Sequence, residues 1–460
     1  MSRYERPMPL RPARGHESRA SRLRRWMRPG IGIKRWLAVV FLGELVLALA
    51  GALIIRNVFR DASPDSPAGQ LFDLVSLQFL PLALRPLVVI VIGGGVFLYG
   101  SWRLLNVLLE PFPARTEPLV ELIYQKRSLA RGPRIVAIGG GTGLSVLLRG
   151  LKEMTSNITA VVTVADDGGS SGMLRQELGL PPVGDLRNCI AALADAEPAM
   201  TRLLQYRFPS EPGTPGEPGL AGVSGHAFGN LLIAALSDIE GDFEEGVRQS
   251  NRVLAVRGQV VPVAPVALTL HAELADGRSL EGQSVIARAR GIRRVWITPQ
   301  AVSACDEAID AIAGADLIVL GPGSLYTSLL PSLLVPRIRA ALEAATGLRV
   351  YVANVATQIG ETEGYTLGEH LAALNAHGVG GLIDTVVAND HLGARAVPGD
   401  QSESVSIDVP SADQRPAVVL ADVVDDDNAH LHDSHKLAAV LVHLAEERAA
   451  PRAHVVARTA

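Results

Sequence analysis

Six polar strings in this 460-residue chain combine the residue types that hold phosphates, sugars and cations. The first is Gly139-Gly140-Gly141-Thr142-Gly143, set between an apolar run and a helical one. Glycines let the backbone approach a ligand, and a helix start offers free N–H groups and a positive dipole end. The string is not the dinucleotide fingerprint, because Leu144 stands where its last glycine is needed. Nor is it a P-loop, because no Gly-Lys-Ser/Thr follows. A tight strand–helix turn without a ligand is the competing reading. The second string, Ala165-Asp166-Asp167-Gly168-Gly169-Ser170-Ser171-Gly172, carries two adjacent carboxylates. Such groups hold a divalent cation, grip a ribose or act as a base. Neighbouring side chains diverge, so one of the two is expected in a site. An Asx turn capping the next helix is the alternative.

The third string, Val183-Gly184-Asp185-Leu186-Arg187-Asn188, opens a helical run. Asp185 suits an N-cap, and Arg187 suits either a phosphate or a structural ion pair. The fourth, Ser224-Gly225-His226-Ala227-Phe228-Gly229-Asn230, sets His226 and Asn230 four residues apart at another helix start, where a structural histidine is as good a reading as a ligand contact. In the fifth, Gly321-Pro322-Gly323-Ser324-Leu325-Tyr326-Thr327-Ser328, hydroxyls and successive amides predict a second anion cradle. The sixth ends an apolar run with Asn354, Thr357 and Gln358. Late in the chain His430, His432, Asp433 and His435 resemble a metal tract, but they precede an amphipathic run, and helix capping is the favoured reading.

The elements that would position these strings follow from hydrophobic periodicity. Short apolar runs at 134–138, 158–164, 316–320, 348–353 and 382–387 predict buried strands, each joined to helical sequence. Leu144, Leu147, Leu148 and Leu151 share one helical face. This rhythm is that of an α/β, Rossmann-like, doubly wound and mostly parallel sheet, whose strand C-termini face the ligand crevice. Runs at 267–273 and 279–282 flank Asp276-Gly277 and predict a small β insertion near 260–300. The Pro- and Gly-rich stretch 209–222 predicts a mobile loop or lid, and 117–127 a short helix.

Charge is divided unevenly. Residues 1–112 carry 15 Lys and Arg against 7 Asp and Glu, and the remainder carries 28 against 40. An acidic body repels a phosphate backbone, so nucleic acid is not an expected partner. Eleven of the basic residues lie in 1–35, ahead of an apolar run at 36–55; a second run covers 86–109. Both have the length of a bilayer-crossing helix, and Glu44 and Arg103 are their charged exceptions. The reading is a basic disordered tail (1–35), a two-helix membrane anchor (36–109), a linker (110–132), an α/β domain (133–450) and a short tail (451–460). The basic flank sets both the N-terminus and the α/β domain on the cytoplasmic face of the inner membrane. Two distant cysteines, Cys189 and Cys305, exclude a disulfide framework.

In their order, GGGTGLSVLLRGLK, TVADDGGSSG, GDLRN, SGHAFGN, LIVLGPGSLYTSLLP and NVATQIGETEGYT resemble the gluconeogenesis-factor (YvcK) family. That family is similar in turn to 2-phospho-L-lactate transferase, and the two are grouped as CofD-like. The resemblance covers 133–450. It implies a domain that binds a UDP-sugar, notably UDP-N-acetylglucosamine, and a role in cell shape, cell-wall synthesis and carbon metabolism. It implies no established reaction. The alternative is a metal-dependent transferase of a phosphate-containing group from a nucleotide donor. The implied ligand contacts are Gly140, Gly141, Thr142, Gly143, Asp166, Asp167, Gly168, Ser170, Asp185, Arg187, Asn188, His226, Asn230, Gly321, Gly323, Ser324, Tyr326, Thr327, Asn354, Thr357 and Gln358. Asp166 and Asp167 are the catalytic candidates, and Mg²⁺ at Asp167 is the candidate cofactor. Expected partners are a nucleotide sugar, the lipid bilayer, proteins of envelope synthesis and, in a homo-oligomer, further copies of the chain. Two positions depart from the family pattern: Ala227 stands where members carry Ser, and Leu431 where they carry Arg.

Overall fold

The computed structural model describes residues 84–109, 127–195, 198–209, 223–391, 402–408 and 416–449, with isolated positions between 41 and 81. The chain divides into two units, Met1–Tyr124 and Gln125–Ala460.

In the first unit the second apolar run forms one helix, α1 (Arg85–Leu109). The ring of Phe97 lies 5.7 Å from that of Phe41 in the first run. Among the described residues no helix is long and apolar enough to cross a membrane, so the expected pair of spanning helices is not supported. Most of 36–55 lies outside the described residues, as do most of the 117–127 helix and residues 210–222 of the expected lid.

The second unit is built on seven parallel strands: β1 (Ile135–Gly139), β2 (Ile158–Val162), β3 (Gln259–Pro262), β7 (Leu317–Leu320), β8 (Leu348–Val352), β9 (Thr385–Asn389) and β10 (Ala417–Ala421). β1 (IVAIG) and β7 (LIVL) are buried at every residue, as central strands covered on both faces must be. β10 has only exposed and half-buried residues because it closes one edge. The spatial order is β10-β9-β8-β7-β1-β2-β3. Strand order therefore reverses between β1 and β7, and this is the switch point at which open α/β sheets bind ligands. The 382–387 run is shorter than expected: Gly380–Leu382 forms a 3₁₀ turn, and the strand begins at Thr385.

The expected β insertion is a three-stranded antiparallel sheet of β4 (Thr269–Leu274), β5 (Ser279–Glu281) and β6 (Ile292–Thr298), in the order β5-β4-β6. Helix α2 (Gly141–Leu151) starts directly after β1 and buries Leu144, Leu147, Leu148 and Leu151 completely. Its Gly150 leaves no room for a side chain against the Ser434 carbonyl. The last helix, Ser434–Ala449, therefore packs backbone-close to it. Further helices that bear on the site are α3 (Gly169–Leu178), α4 (Gly184–Leu193) and α5 (Phe228–Glu240).

Candidate ligand-binding site

Two glycine loops leave the sheet at the switch point, one after β1 and one after β7, and they touch. A side chain on Gly143 would come within 2.9 Å of the Pro322 carbonyl oxygen, and one on Gly323 within 3.1 Å of the Gly140 oxygen. Gly141 also needs its left-handed φ of 69°. Part of the glycine content thus serves loop-on-loop packing, a structural demand that sequence alone could not separate from ligand approach.

The loops floor a cavity of about 470 Å³. Of the expected contacts, Gly140, Gly141, Thr142, Gly143, Asp166, Asp185, Gly323, Ser324, Thr327, Asn354, Thr357 and Gln358 line it. Five separate strand ends and helix starts supply them, so residues up to 218 positions apart in sequence meet on one wall. No Lys or Arg occurs among the described residues of the lining. A phosphate here would rely on backbone N–H groups, hydroxyls and the start of α2.

Two carboxylates face the cavity. Asp185, in the first turn of α4, is pushed up to about 6 by burial and by Asp166 beside it. A hydrogen bond from the Gly141 backbone and the charge of Arg187 pull the other way. A side chain on Gly140 would collide with Asp185 Oδ2 and Thr163 Cγ2, which shows how tightly the first loop wraps this carboxylate. Asp166 also accepts the Gly168 amide at 2.9 Å, closing an Asx turn ahead of α3. Among the described residues no group of three or more His, Cys, Asp or Glu could hold a metal ion. Mg²⁺ asks for less, because it keeps waters and takes one or two carboxylates together with ligand phosphates. The mutual repulsion of Asp166 and Asp185 fits such a cation.

Asp167 does not fit it. Its Oδ1 accepts the Ser284 amide at 2.8 Å and it is absent from the cavity wall. This carboxylate pins the β insertion to the acidic loop, and Gln283 of the insertion reaches the cavity from there. Asp167 was expected at a metal or ligand; in the structure its Oδ1 is engaged by the insertion.

Ser170, His226 and Asn230 come together, but beside the cavity and not on its wall. The Ser170 hydroxyl accepts from the Ala227 amide (3.2 Å) and from Asn230 Nδ2 (3.0 Å). It also lies 3.3 Å from His226 Nδ1. All three residues are buried, and together they knit the starts of α3 and α5. Gly168, Arg187, Asn188, Gly321 and Tyr326 are likewise off the wall. Arg187 donates to Asn188 Oδ1 at 2.9 Å, and the Tyr326 hydroxyl meets that of Tyr365 at 3.2 Å.

The second anion cradle is also corrected. The amides of Tyr326 and Thr327 donate to Glu361 Oε1 at 2.6 and 3.0 Å, and Thr327 Oγ1 donates to Oε2 at 2.9 Å. The chain's own buried carboxylate fills the place foreseen for a ligand anion. Burial raises the Glu361 pKa against these three donors.

Thr163, Gln283 and Ser402 on the wall were not singled out in the sequence, and His430 and His432, read there as a tract that favours helix capping, also line it. The late tract divides by role. Asp433 caps the last helix through the His435 and Lys436 amides, both at 2.8 Å, which is the capping the spacing predicts. His430 and His432 belong to β12 (Asn428–His432). Burial lowers His432 to about 4, and its neutral ring donates from Nε2 to the Ala353 oxygen at 3.2 Å. Their period-two spacing was the available signal. Leu431, the departure from the family pattern, lines the cavity.

Residues 135–424 match the family model described as 2-phospho-L-lactate transferase CofD. The chain belongs to the gluconeogenesis factor (YvcK) family of CofD-like proteins. The gluconeogenesis factor of Bacillus subtilis is 45% identical over 327 residues, which are 69% of this chain and all of the relative. A family relative from Nostoc sp. PCC 7120 is 43% identical over 434 residues, 91% of either chain. The crystal structure of protein BH3568 from Bacillus halodurans superposes with a TM-score of 0.60 at 40% identity, over 68% of this chain and all of that one. In both Bacillus proteins, then, the CofD-like unit accounts for essentially the whole chain.

Proposed function

We propose that this family member is a non-catalytic sensor that binds a nucleotide sugar, UDP-N-acetylglucosamine, in the switch-point cavity. It would couple the level of that ligand to carbon metabolism, cell shape and cell-wall synthesis. The observation that carries the reading is the cavity itself: backbone-rich, glycine-floored and at the start of α2, with two carboxylates for a Mg²⁺ ion and neutral amides and hydroxyls beyond them. In this reading the α2 amides and Thr142 receive the diphosphate. Asp166 and Asp185 hold the cation that offsets its charge, and Asn354, Thr357 and Gln358 meet neutral groups of the ligand. The names of the relatives support a link to carbon metabolism. The test is prolonged incubation of residues 125–460 with UDP-N-acetylglucosamine and Mg²⁺, followed by mass spectrometry of the ligand. Recovery of intact ligand at saturating occupancy is expected. Cleavage or transfer, abolished by Asp166→Asn, would replace the sensor with a transferase.

The domain would act at the inner face of the membrane, held there by the first unit and near envelope-synthesis proteins. Support comes from the basic 1–35 segment and from α1, where Leu87, Ile90, Val91, Ile92 and Val96 expose 61–71% of their surfaces. At 100° per residue these five positions spread around much of the helix, so no single soluble partner face would cover them. After cell lysis the full chain is expected to pellet with membranes and to resist high salt. Release by salt alone would mean that only the basic head contacts lipid.

A further inference from the structure

Gln358 is held more firmly than a surface glutamine needs to be. Its backbone amide donates to Thr362 Oγ1 at 3.1 Å, and its carbonyl receives the Thr362 amide at 3.0 Å. Thr362 itself is fully buried. The side-chain Nε2 donates to Ser324 Oγ at 2.9 Å. The remaining atom, Oε1, is buried, has no hydrogen-bond partner, and belongs to a residue of the cavity wall. An acceptor left unsatisfied costs about 1–3 kcal/mol. Such a cost is retained where a ligand supplies the missing donor.

The other polar residues of the cavity wall narrow the class of donor. Ser324 and Thr327 come from the loop after β7, and Asn354 and Thr357 from the end of β8; all are neutral. Asp185 instead crowds the first glycine loop, with Asp166 beside it. The cavity therefore has an acidic part suited to a cation and its phosphates, and a neutral part suited to uncharged polar groups. A phosphate oxygen has no proton to give Oε1 near pH 7. A ring imide N–H, an acetamido N–H or a sugar hydroxyl does.

We propose that Gln358 is the specificity-determining acceptor of the neutral part, taking one N–H or O–H donor from the bound nucleotide sugar. This rests on the nucleotide-sugar reading of the cavity. The two sources of the donor, base and sugar, are separable by ligand choice. The experiment compares wild type and Gln358→Met on residues 125–460, titrated with UDP and with UDP-N-acetylglucosamine, alongside thermal denaturation without ligand. Methionine fills the same volume and removes the unpaired oxygen. The expected result is a loss of about tenfold in affinity, the worth of one hydrogen bond, with the unliganded Tm unchanged or raised. An equal loss for both ligands assigns the donor to the base; a loss confined to the nucleotide sugar assigns it to the sugar. A merely structural strut to Ser324 would behave in the opposite way, lowering Tm while leaving affinity within about twofold, and that result overturns the proposal. If wild type binds neither ligand, the cavity reading itself fails and the assignment falls with it.

Discussion

At the scale of single residues, Asp185 is a cavity-wall carboxyl whose pKa burial and Asp166 shift upward. Its folded-state pKa of about 6 lies above the ordinary 3.8, so the native protein keeps a proton that the unfolded chain has already released. Asp185 therefore contributes stability in acid that is lost as pH rises from about 4 to about 6. The expected signature is a Tm that declines across that window and flattens in Asp185→Asn, with Mg²⁺ offsetting the decline above pH 6. A pH-independent difference between the two proteins would contradict this. Glu361 makes a different prediction. Glu361→Ala strips three hydrogen bonds from the turn after β7 and is expected to lower stability by about 3 kcal/mol. Glu361→Gln should recover part of that, because its Oε1 still accepts; chemical denaturation of both variants is the check. Asp166 and Thr142 were legible in the sequence because a small polar residue just past a strand end has few other reasons to be there, and Asp185 because it opens a helical run after a glycine. Glu361 was not legible, since a buried carboxylate is identified only by partners far away in the chain.

At the scale of elements, five of the seven sheet strands and the first glycine turn were legible from apolar runs and punctuation, within a few residues, whereas β3 and β10 at the two sheet edges were not foreseen. What periodicity could not supply was which loops touch. Contact between the β1 and β7 loops depends on Gly143 meeting Pro322, residues 179 apart. Gly143→Ala must push these loops apart and is expected to cost about 1–3 kcal/mol, the usual penalty of overpacking, and to weaken ligand binding with it. Normal Tm together with normal affinity would show that the two loops are independent. The contact of Asp167 with Ser284, 117 positions away, was not legible for the same reason: it lies in an insertion whose docking no local pattern reveals. Asp167→Ala should loosen the 282–286 turn, seen as faster amide exchange there, and leave Mg²⁺-dependent binding within about threefold of wild type, since a residue off the wall contributes only indirectly.

At the scale of the whole molecule, fold class followed from the alternation of strands and helices, while the strand order that makes a switch point did not. Only the pairing of β1 with both β2 and β7 creates the crevice. The CofD-like unit matches Bacillus chains along essentially their full length, so residues 125–460 are expected to fold without the first unit. The measurement that tests the central claim most directly is calorimetric titration of that unit with UDP-N-acetylglucosamine, with and without Mg²⁺. The account predicts saturable binding that Mg²⁺ strengthens, that Asp166→Asn makes insensitive to Mg²⁺, and that Gly141→Val abolishes. Absence of binding at millimolar ligand, or binding untouched by Gly141→Val, would contradict it.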